Sequence, residues 1–588
     1  VKGFYHQILT INVTEKTFTT APVDDILLET YLGGKGLASY LLYDMNPPGI
    51  DPLDPQNHLI FATGPITGSP VWGSCRYGVY TKSPQTGFYA ESYSGGKAAE
   101  AIDAAGFDAI VITGKSAKPI VLGIFPDEVR FFPAQDLWGL ETYETEDKVL
   151  EKYRRTEEGF RKPGAVVIGP AAENLVRFGV IKNDYWRSAG RTGVGTVMGS
   201  KQIKAILFQG DRKRTLHDPE EVRKFSIRMA RENKDHPAVI SYKTKGTSQM
   251  VDPLNKARAF PTRYWSQSSF EHWDKINSDA FHSRCDVKPS ACLKCFLACG
   301  RKTTILEGRH AGLKLEGPEY ETIYAFGGLC LIDSIEEIAY LNDICDRLGM
   351  DTISAGNLCA FTIEAVRRGK VVHDIDYGDV DAIAHLLGLI AKREGVGDVL
   401  ARGIKYAAAK WGLEEIAVHV KGMEPPGYDP RALKGMGLAY AASDRGACHL
   451  RSTFYKPELS GMIKPDQIEG KAKLFLEFEH RLTLFDTLIF CRFYRDFYPW
   501  ESLEHLIYST TGLTVSTADL KSKASVISTL IRKFNLREGL QPEDDRLPKR
   551  FHEKIKKTGQ VLTKVEFETM LTDYFKLQGW DENGIPPE

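Results

Sequence analysis

The 588 residues are 42% hydrophobic and 26% charged, the composition of a globular chain with room for two to four domains. The 76 basic and 77 acidic side chains leave a formal charge of -1, which excludes the excess positive charge of a nucleic-acid binder yet allows a local basic patch for an acidic electron carrier. Ten cysteines, no apolar stretch of about 18 residues and an opening VKGFYHQILTINV without a signal-peptide pattern predict a cytoplasmic protein with neither a disulfide scaffold nor a membrane span.

From residue 1 to about 210, short β-prone runs alternate with turns: YHQILTINV, HLIFATG, YGVYTKS, AIVITG, IVLGIF, AVVIGP and KAILFQG. Helices are predicted from Asp24 to Leu32 and from Gly96 to Ala105. Long helices do not alternate regularly with the strands, which argues against a doubly wound dinucleotide fold. Two glycine loops stand out: GGKGLAS, with Gly33, Gly34, Lys35 and Gly36, and SAGRTGVGTVMGSK, with Gly190, Arg191, Gly193 and Gly195. Their amide groups could converge on an anion, or they could simply be tight turns. Arg76, in PVWGSCRYGVYTKSP, offers a forked donor for a phosphate or heterocycle, or else is an ordinary surface arginine.

Beyond Gly210 the pattern turns helical: Pro219 to Glu232, Asp333 to Leu348, Asp379 to Glu394, Val399 to Lys410 with Gly412 as C-cap, Pro465 to Asp486 and Thr517 to Phe534. The fold class is therefore α+β. A β-rich domain (1–210) precedes a helical domain with a cysteine triplet (211–415) and a helical C-terminal domain (416–588), the second boundary falling in GMEPPGYDPRALKGMG. The final DENGIPPE reads as a loose tail.

Cys292, Cys295 and Cys299 are spaced C-x2-C-x3-C. Thiolates at such intervals wrap three corners of an iron-sulfur cluster, completed by one remote cysteine. Zinc sites more often use two close pairs, or Cys with His, and three buried core thiols remain the plain alternative. Spacing does not choose among Cys285, Cys448 and Cys491 as the fourth ligand, and Cys75, Cys330, Cys345 and Cys359 read as small buried fillers. Glu319 and Glu321 open an apolar segment, and YDPRALKGMGLAYAASDRGACHLRS gathers Tyr428, Asp429, Arg431, Asp444, Arg445 and His449. A histidine moves protons near neutral pH, and a half-buried glutamate can be tuned toward that range.

Taken together, YLGGKGLAS, FATGPITG, GSCRYGVYTKSP, SAGRTGVGTVMGSK, CLKCFLACG, GPEYET, YDPR and SDRGACHLRS cover nearly the whole chain. In these motifs the sequence resembles the aldehyde:ferredoxin oxidoreductase family, tungsten enzymes with a bis-pterin cofactor. The resemblance implies a β-rich base for the two pterins with two helical domains above it. It implies that Cys491 completes a four-iron (4Fe-4S) cluster and that Arg76 bridges the cluster region and the proximal pterin. It further implies cofactor contacts at Tyr93, Ser94, Arg187, Gly190, Arg191 and Gly193, and in the acidic motifs Asp346-Arg-Leu-Gly349-Met350-Asp351 and Asp486-Thr-Leu-Ile489-Phe490-Cys491. The second motif departs from the family's Gly-Leu before the cysteine. Magnesium would link the pterin phosphates near Ser92 to Ser94 and Ala189. The metal itself, held by dithiolene sulfurs, needs no protein ligand. Some members bridge a dimer through an iron held by Glu-x-x-His; here Tyr340 stands in the histidine place after Glu337, leaving a different homodimer or a small ferredoxin-like subunit open.

The activity so implied is oxidation of an aldehyde to a carboxylic acid, with electrons passing to ferredoxin. His449 and Tyr428 would polarise the carbonyl, and Glu319, by family position preferred to Glu321, would take a proton from water. Two alternatives are an aromatic acyl-CoA ring reductase subunit and a non-catalytic iron-sulfur electron-transfer subunit.

Overall fold

The apolar runs of the first 210 residues form two six-stranded mixed sheets in the computed structural model, which describes residues 1–588. The first sheet holds β1 (Gln7–Asn12), β2 (Thr17–Pro22), β3 (Leu59–Ala62), β4 (Tyr77–Lys82), β5 (Tyr89–Ser94) and β6 (Ala109–Thr113), in the order β2-β1-β6-β3-β4-β5. Only β1 and β6 run parallel. The second holds β7 (Ile120–Ile124), β8 (Val129–Pro133), β9 (Gly164–Val167), β10 (Ile181–Asn183), β11 (Arg187–Ala189) and β12 (Ile203–Phe208), in the order β11-β10-β9-β12-β7-β8. Only β7 and β12 run parallel.

Every residue of β3 and β12 is buried, which explains why they read as continuous apolar runs rather than alternating ones. One core draws Leu9, Phe61 and Ile110 from the first sheet and Leu122, Val166 and Phe208 from the second. The outer face of the first sheet buries Ile60 and Tyr80 against Leu37 and Leu41 of helix Gly34–Met45 and Ile527, Ile531 and Phe534 of helix Thr517–Arg537. The outer face of the second is covered by Val149 and Tyr153 of helix Thr142–Tyr153.

The later chain is helical, with caps where local chemistry dictates. Ser334 caps Ile335–Leu348, and Gly349 closes it in the left-handed conformation. The helix expected from Val399 to Lys410 is two helices, Val396–Ala401 and Ile404–Trp411, because Gly403 at φ 90° turns the chain between them. A three-stranded antiparallel sheet interrupts the helical region: β13 (Cys285–Ser290), β14 (Gly300–Ile305) and β15 (Lys314–Glu316). The cysteine triplet lies in the connection from β13 to β14. The C-terminal DENGIPPE is not loose at its start, since Asp581 accepts from the amides of Asn583 and Ile585. No helix is long and apolar enough to cross a membrane.

Contacts sort the chain into two compact units, each discontinuous in sequence. The first comprises 1–240, 291–297 and 480–539; the second comprises 241–290, 298–479 and 540–588. Each buries a neutral histidine. In the first, His58 Nδ1 lies 2.8 Å from Asn46 Oδ1; in the second, His419 Nδ1 accepts from the Gly422 amide at 3.2 Å. Burial lowers both from an ordinary 6.5 to about 4. Between those values the unfolded chain binds protons that the folded protein does not, so stability should rise with pH across this window. The slope should be at most about 1.4 kcal/mol per pH unit for each ring. Denaturant titrations at several pH values would measure it, and His419→Asn should remove one ring's share. A flat profile would contradict the prediction.

Candidate active site and sulfur centre

Within the first unit, four chain segments lace together around sulfur. The Leu293 amide donates to Gly96 O at 3.2 Å, the Gly73 amide donates to Lys294 O at 2.8 Å, and the Cys491 amide donates to Gly73 O at 2.8 Å. The Phe296 amide donates to the Tyr494 hydroxyl at 2.9 Å, and the Phe296 ring meets Trp72 and Tyr494 with centroids 5.5 and 5.0 Å away. These ties bring the segments of Cys292, Cys295 and Cys491 together around Cys75. Cys299 follows as one of the first residues of the second unit.

A fourth thiol of this group was not anticipated. Cys75, read as a core filler, is indeed buried, but it hydrogen-bonds the Cys292 side chain, with Cys491 and Cys295 also close enough to act on it electrostatically. That hydrogen bond, the Arg187 and Arg76 guanidinium groups and the Gly96 amide together pull the Cys292 thiol down to about 5 against the opposing effect of burial. Gly95 is required here, since a Cβ on it would stand 2.8 Å from Cys292 Sγ. Burial, then Cys295, pushes the Tyr494 phenol upward, so it stays a neutral neighbour. No three His, Cys, Asp or Glu side chains close on a point as a single ion demands.

The two other fourth-ligand candidates are engaged elsewhere. Cys448 Sγ accepts from Arg445 Nη2 at 3.0 Å and the Leu450 amide at 3.3 Å. Cys285 begins β13, and burial raises it to about 11.

Beside the thiols lies a buried polar chain. Lys35 pairs with Glu91 at 3.1 Å, Tyr93 donates to Glu91 at 2.7 Å, and the Arg492 guanidinium sits 4.8 Å over the Tyr93 ring while pairing with Asp486. Of the predicted cofactor residues, Tyr93 and Asp486 are thus joined through Arg492, which the sequence reading did not single out. Ser94 donates to Asn183 at 2.6 Å, and Ser92 donates to Gly190 O at 2.6 Å. Arg191, Thr192 and Gly193 stand consecutively at φ 64°, 57° and 75°. A Cβ on Gly193 would fall 2.2 Å from Arg177 O, so packing demands glycine there whatever the loop holds.

In the second unit, Asp346 accepts from Asn342 at 2.9 Å, and Asp351 caps helix Thr352–Arg367 by accepting from the Ser354 amide at 3.0 Å. Glu337 is bound by Arg309 at 2.8 and 2.9 Å and by His310 at 2.9 Å, and His310 stacks on Tyr340 at 4.0 Å. The Glu-x-x-Tyr segment is therefore an internal ion-pair network.

The candidate acid–base residues also meet in the second unit. Glu321 accepts from the Gly427 amide at 2.9 Å and holds its other oxygen 3.5 Å from His449 Nε2. His449 stacks on Tyr428 at 5.8 Å, and Tyr428 stacks on Tyr455 at 4.2 Å. Burial, then Tyr455 and Glu321, holds the Tyr428 phenol protonated far above its ordinary value. Glu319 accepts from the Thr247 hydroxyl, which in turn accepts from the Tyr320 amide at 3.0 Å. The histidine's carboxylate partner is therefore Glu321, while Glu319 has a separate donor. Nearby, the hydroxyls of Ser443, Ser452 and Thr453 are buried without a hydrogen-bond partner in the protein.

The family described as aldehyde ferredoxin oxidoreductase matches the chain twice, its N-terminal domain over residues 8–210 and its domains 2 and 3 over residues 224–588. The chain belongs to the aldehyde ferredoxin oxidoreductase family. It is 34% identical over 601 residues to the tungsten-containing aldehyde ferredoxin oxidoreductase of Pyrococcus furiosus, covering 100% of this chain and 98% of that one. The protein of the same description from Thermococcus kodakarensis gives the same identity and coverage. Among solved structures, the active site complex BamBC of benzoyl coenzyme A reductase contains a chain with TM-score 0.85, 23% identity, and coverage of 100% of this chain and 96% of that one. That likeness establishes the fold alone. Membership makes the chain an oxidoreductase of this family.

Cys75, Asn183, Arg492 and Thr247 are the residues of the site that sequence reasoning passed over. Two carried a signal: Cys75 directly precedes Arg76, and Arg492 directly follows Cys491.

Proposed function

We propose that this chain oxidises aldehydes to carboxylic acids with a tungsten bis-pterin centre, and that electrons leave through a 4Fe-4S cluster on Cys292, Cys295, Cys299 and Cys491 to ferredoxin or a small ferredoxin-like subunit. The gathering of Cys292, Cys295 and Cys491 beside Arg76 and Arg187 carries the reading. The residues present suit such groups: soft thiols gathered from separate segments, a glycine where a Cβ would crowd a sulfur, and three unpartnered buried hydroxyls near His449. Arg76, Tyr93, Ser94, Arg187, Gly190, Arg191, Gly193 and Asp486 are assigned to the pterins in the first unit, and Asp346, Gly349 and Asp351 in the second. Magnesium between the pterin phosphates belongs to the same proposal.

Held by these residues, the metal centre would supply a two-electron acceptor and the cluster a one-electron relay. The chain's own residues supply geometry and protons. Tyr428 donates its hydroxyl to the aldehyde oxygen. His449, its Nε2 turned to the Glu321 carboxylate, presents Nδ1 to the same oxygen. Glu319 takes a proton from the attacking water, and the Thr247 hydroxyl fixes which of its oxygens is turned away. The sum is aldehyde and water giving carboxylic acid, two protons and two electrons.

Viologen reduction with a panel of aldehydes, set against dienoyl-CoA oxidation, tests this. Activity with dienoyl-CoA and none with aldehydes would overturn it. Gly95→Val should lower iron per chain well below the parent's, because its side chain displaces the Cys292 sulfur. Unchanged iron would count against the cluster.

A further inference from the structure

We infer that a basic cleft beside the thiol loop docks an acidic electron-carrier protein. This rests on the proposal that electrons leave through the thiol-bound cluster. The cleft, about 490 Å³ within the first unit, is lined by Arg161, Lys213, Arg214 and Lys294, with Glu100 and Asp103 as its acids. Arg214 is neutralised within the fold, pairing with Asp103 and Asp108 at 2.8 Å each. Three cations are then left facing one carboxylate, a local excess that the chain's net charge of -1 conceals.

Lys294 ties this charge to the chemistry. It lies between Cys292 and Cys295, its side chain is exposed, and its carbonyl is held by the Gly73 amide at 2.8 Å, the residue whose own carbonyl receives the Cys491 amide. Lys213 is exposed in the run Asp211-Arg212-Lys213-Arg214, and the Arg161 amide fastens the neighbouring segment to Gly210 O at 3.0 Å. Electron transfer weakens steeply with distance, so a protein acceptor must bind where the thiol loop reaches solvent. Fixed cations there would steer an acidic partner and raise its encounter rate. The wall residues Thr67, Ser69 and Pro70 offer no aromatic surface for a flat organic acceptor.

The test uses anaerobically purified holoenzyme with an acidic ferredoxin and, separately, benzyl viologen. The double variant Arg161→Glu/Lys213→Glu should raise KM for ferredoxin at least tenfold and flatten its dependence on ionic strength, with viologen kinetics and iron content unchanged. Lys294→Gln, which keeps the loop's backbone ties, should act in the same direction. Equal ferredoxin KM values in parent and variants would overturn the inference, as would binding of inorganic phosphate alone at the cleft. Should the parent oxidise no aldehyde, titration of oxidised ferredoxin onto parent and variants, read as bound fraction without turnover, still decides docking separately from activity.

Discussion

Cys295→Ala protein, purified anaerobically, should retain less than about a tenth of the parent's iron and lose the visible absorption of a cluster, because an iron corner without its thiolate is open to solvent. Aldehyde-dependent viologen reduction should fall with it. Cys295 is the informative member of the triplet, since Tyr494 hydrogen-bonds its side chain and receives the amide of Phe296 beside it. Removal of the thiol should leave the loop anchored, so that lost iron reports ligation rather than unfolding. Cys285→Ala is the matched control: that thiol stands at the start of β13 and should cost no iron. Parent-level iron in the Cys295 variant would refute the cluster assignment.

Glu319→Gln should slow aldehyde turnover by about 100-fold or more while tungsten and iron stay at parental levels, as expected when a positioned base is lost. Glu321→Gln should behave differently. It leaves the proton acceptor in place and removes the carboxylate 3.5 Å from His449 Nε2 that fixes the ring's direction, so it should raise KM for the aldehyde more than it lowers kcat. Separate kcat and KM values for both variants distinguish the roles. A loss confined to Glu321→Gln, with Glu319→Gln unaffected, would transfer the base to Glu321.

Elements that advertise themselves by a run of buried apolar residues were legible in the sequence. β1, β3, β4, β6 and β7 fall within the predicted runs, β9 and β12 begin one residue before theirs, and the helices capped by Asp24 and Asp218 begin where those side chains accept an amide. Elements held by polar residues were not. β5 reads YAESYS, yet Glu91 and both serines are buried because Lys35, Asn183 and Gly190 O satisfy them. β13 contains Pro289 and two charged residues, so nothing in its pattern announces the strand that presents the cysteine triplet. The site divides in the same way. Metal-type spacing is a local signal and gave Cys292, Cys295 and Cys299. Choosing between Glu319 and Glu321 requires knowing which carboxylate the returning His449 segment will meet, and that is a matter of packing. Cys75 was invisible for a similar reason, since a buried thiol reads alike whether its neighbour is an alkyl group or another sulfur.

The return of segments 291–297 and 480–539 to the first unit bears on how the protein is made. Residues 1–240 emerge from the ribosome with Leu37, Leu41 and Ile60 lacking the partners Ile527, Ile531 and Phe534 that cover them at the end. Domains ordinarily mature in the order of translation, but here the earliest-made sheet waits for nearly the whole chain. Nascent protein should therefore expose apolar surface for most of its synthesis, so iron delivery and shelter by chaperones belong to the same late interval.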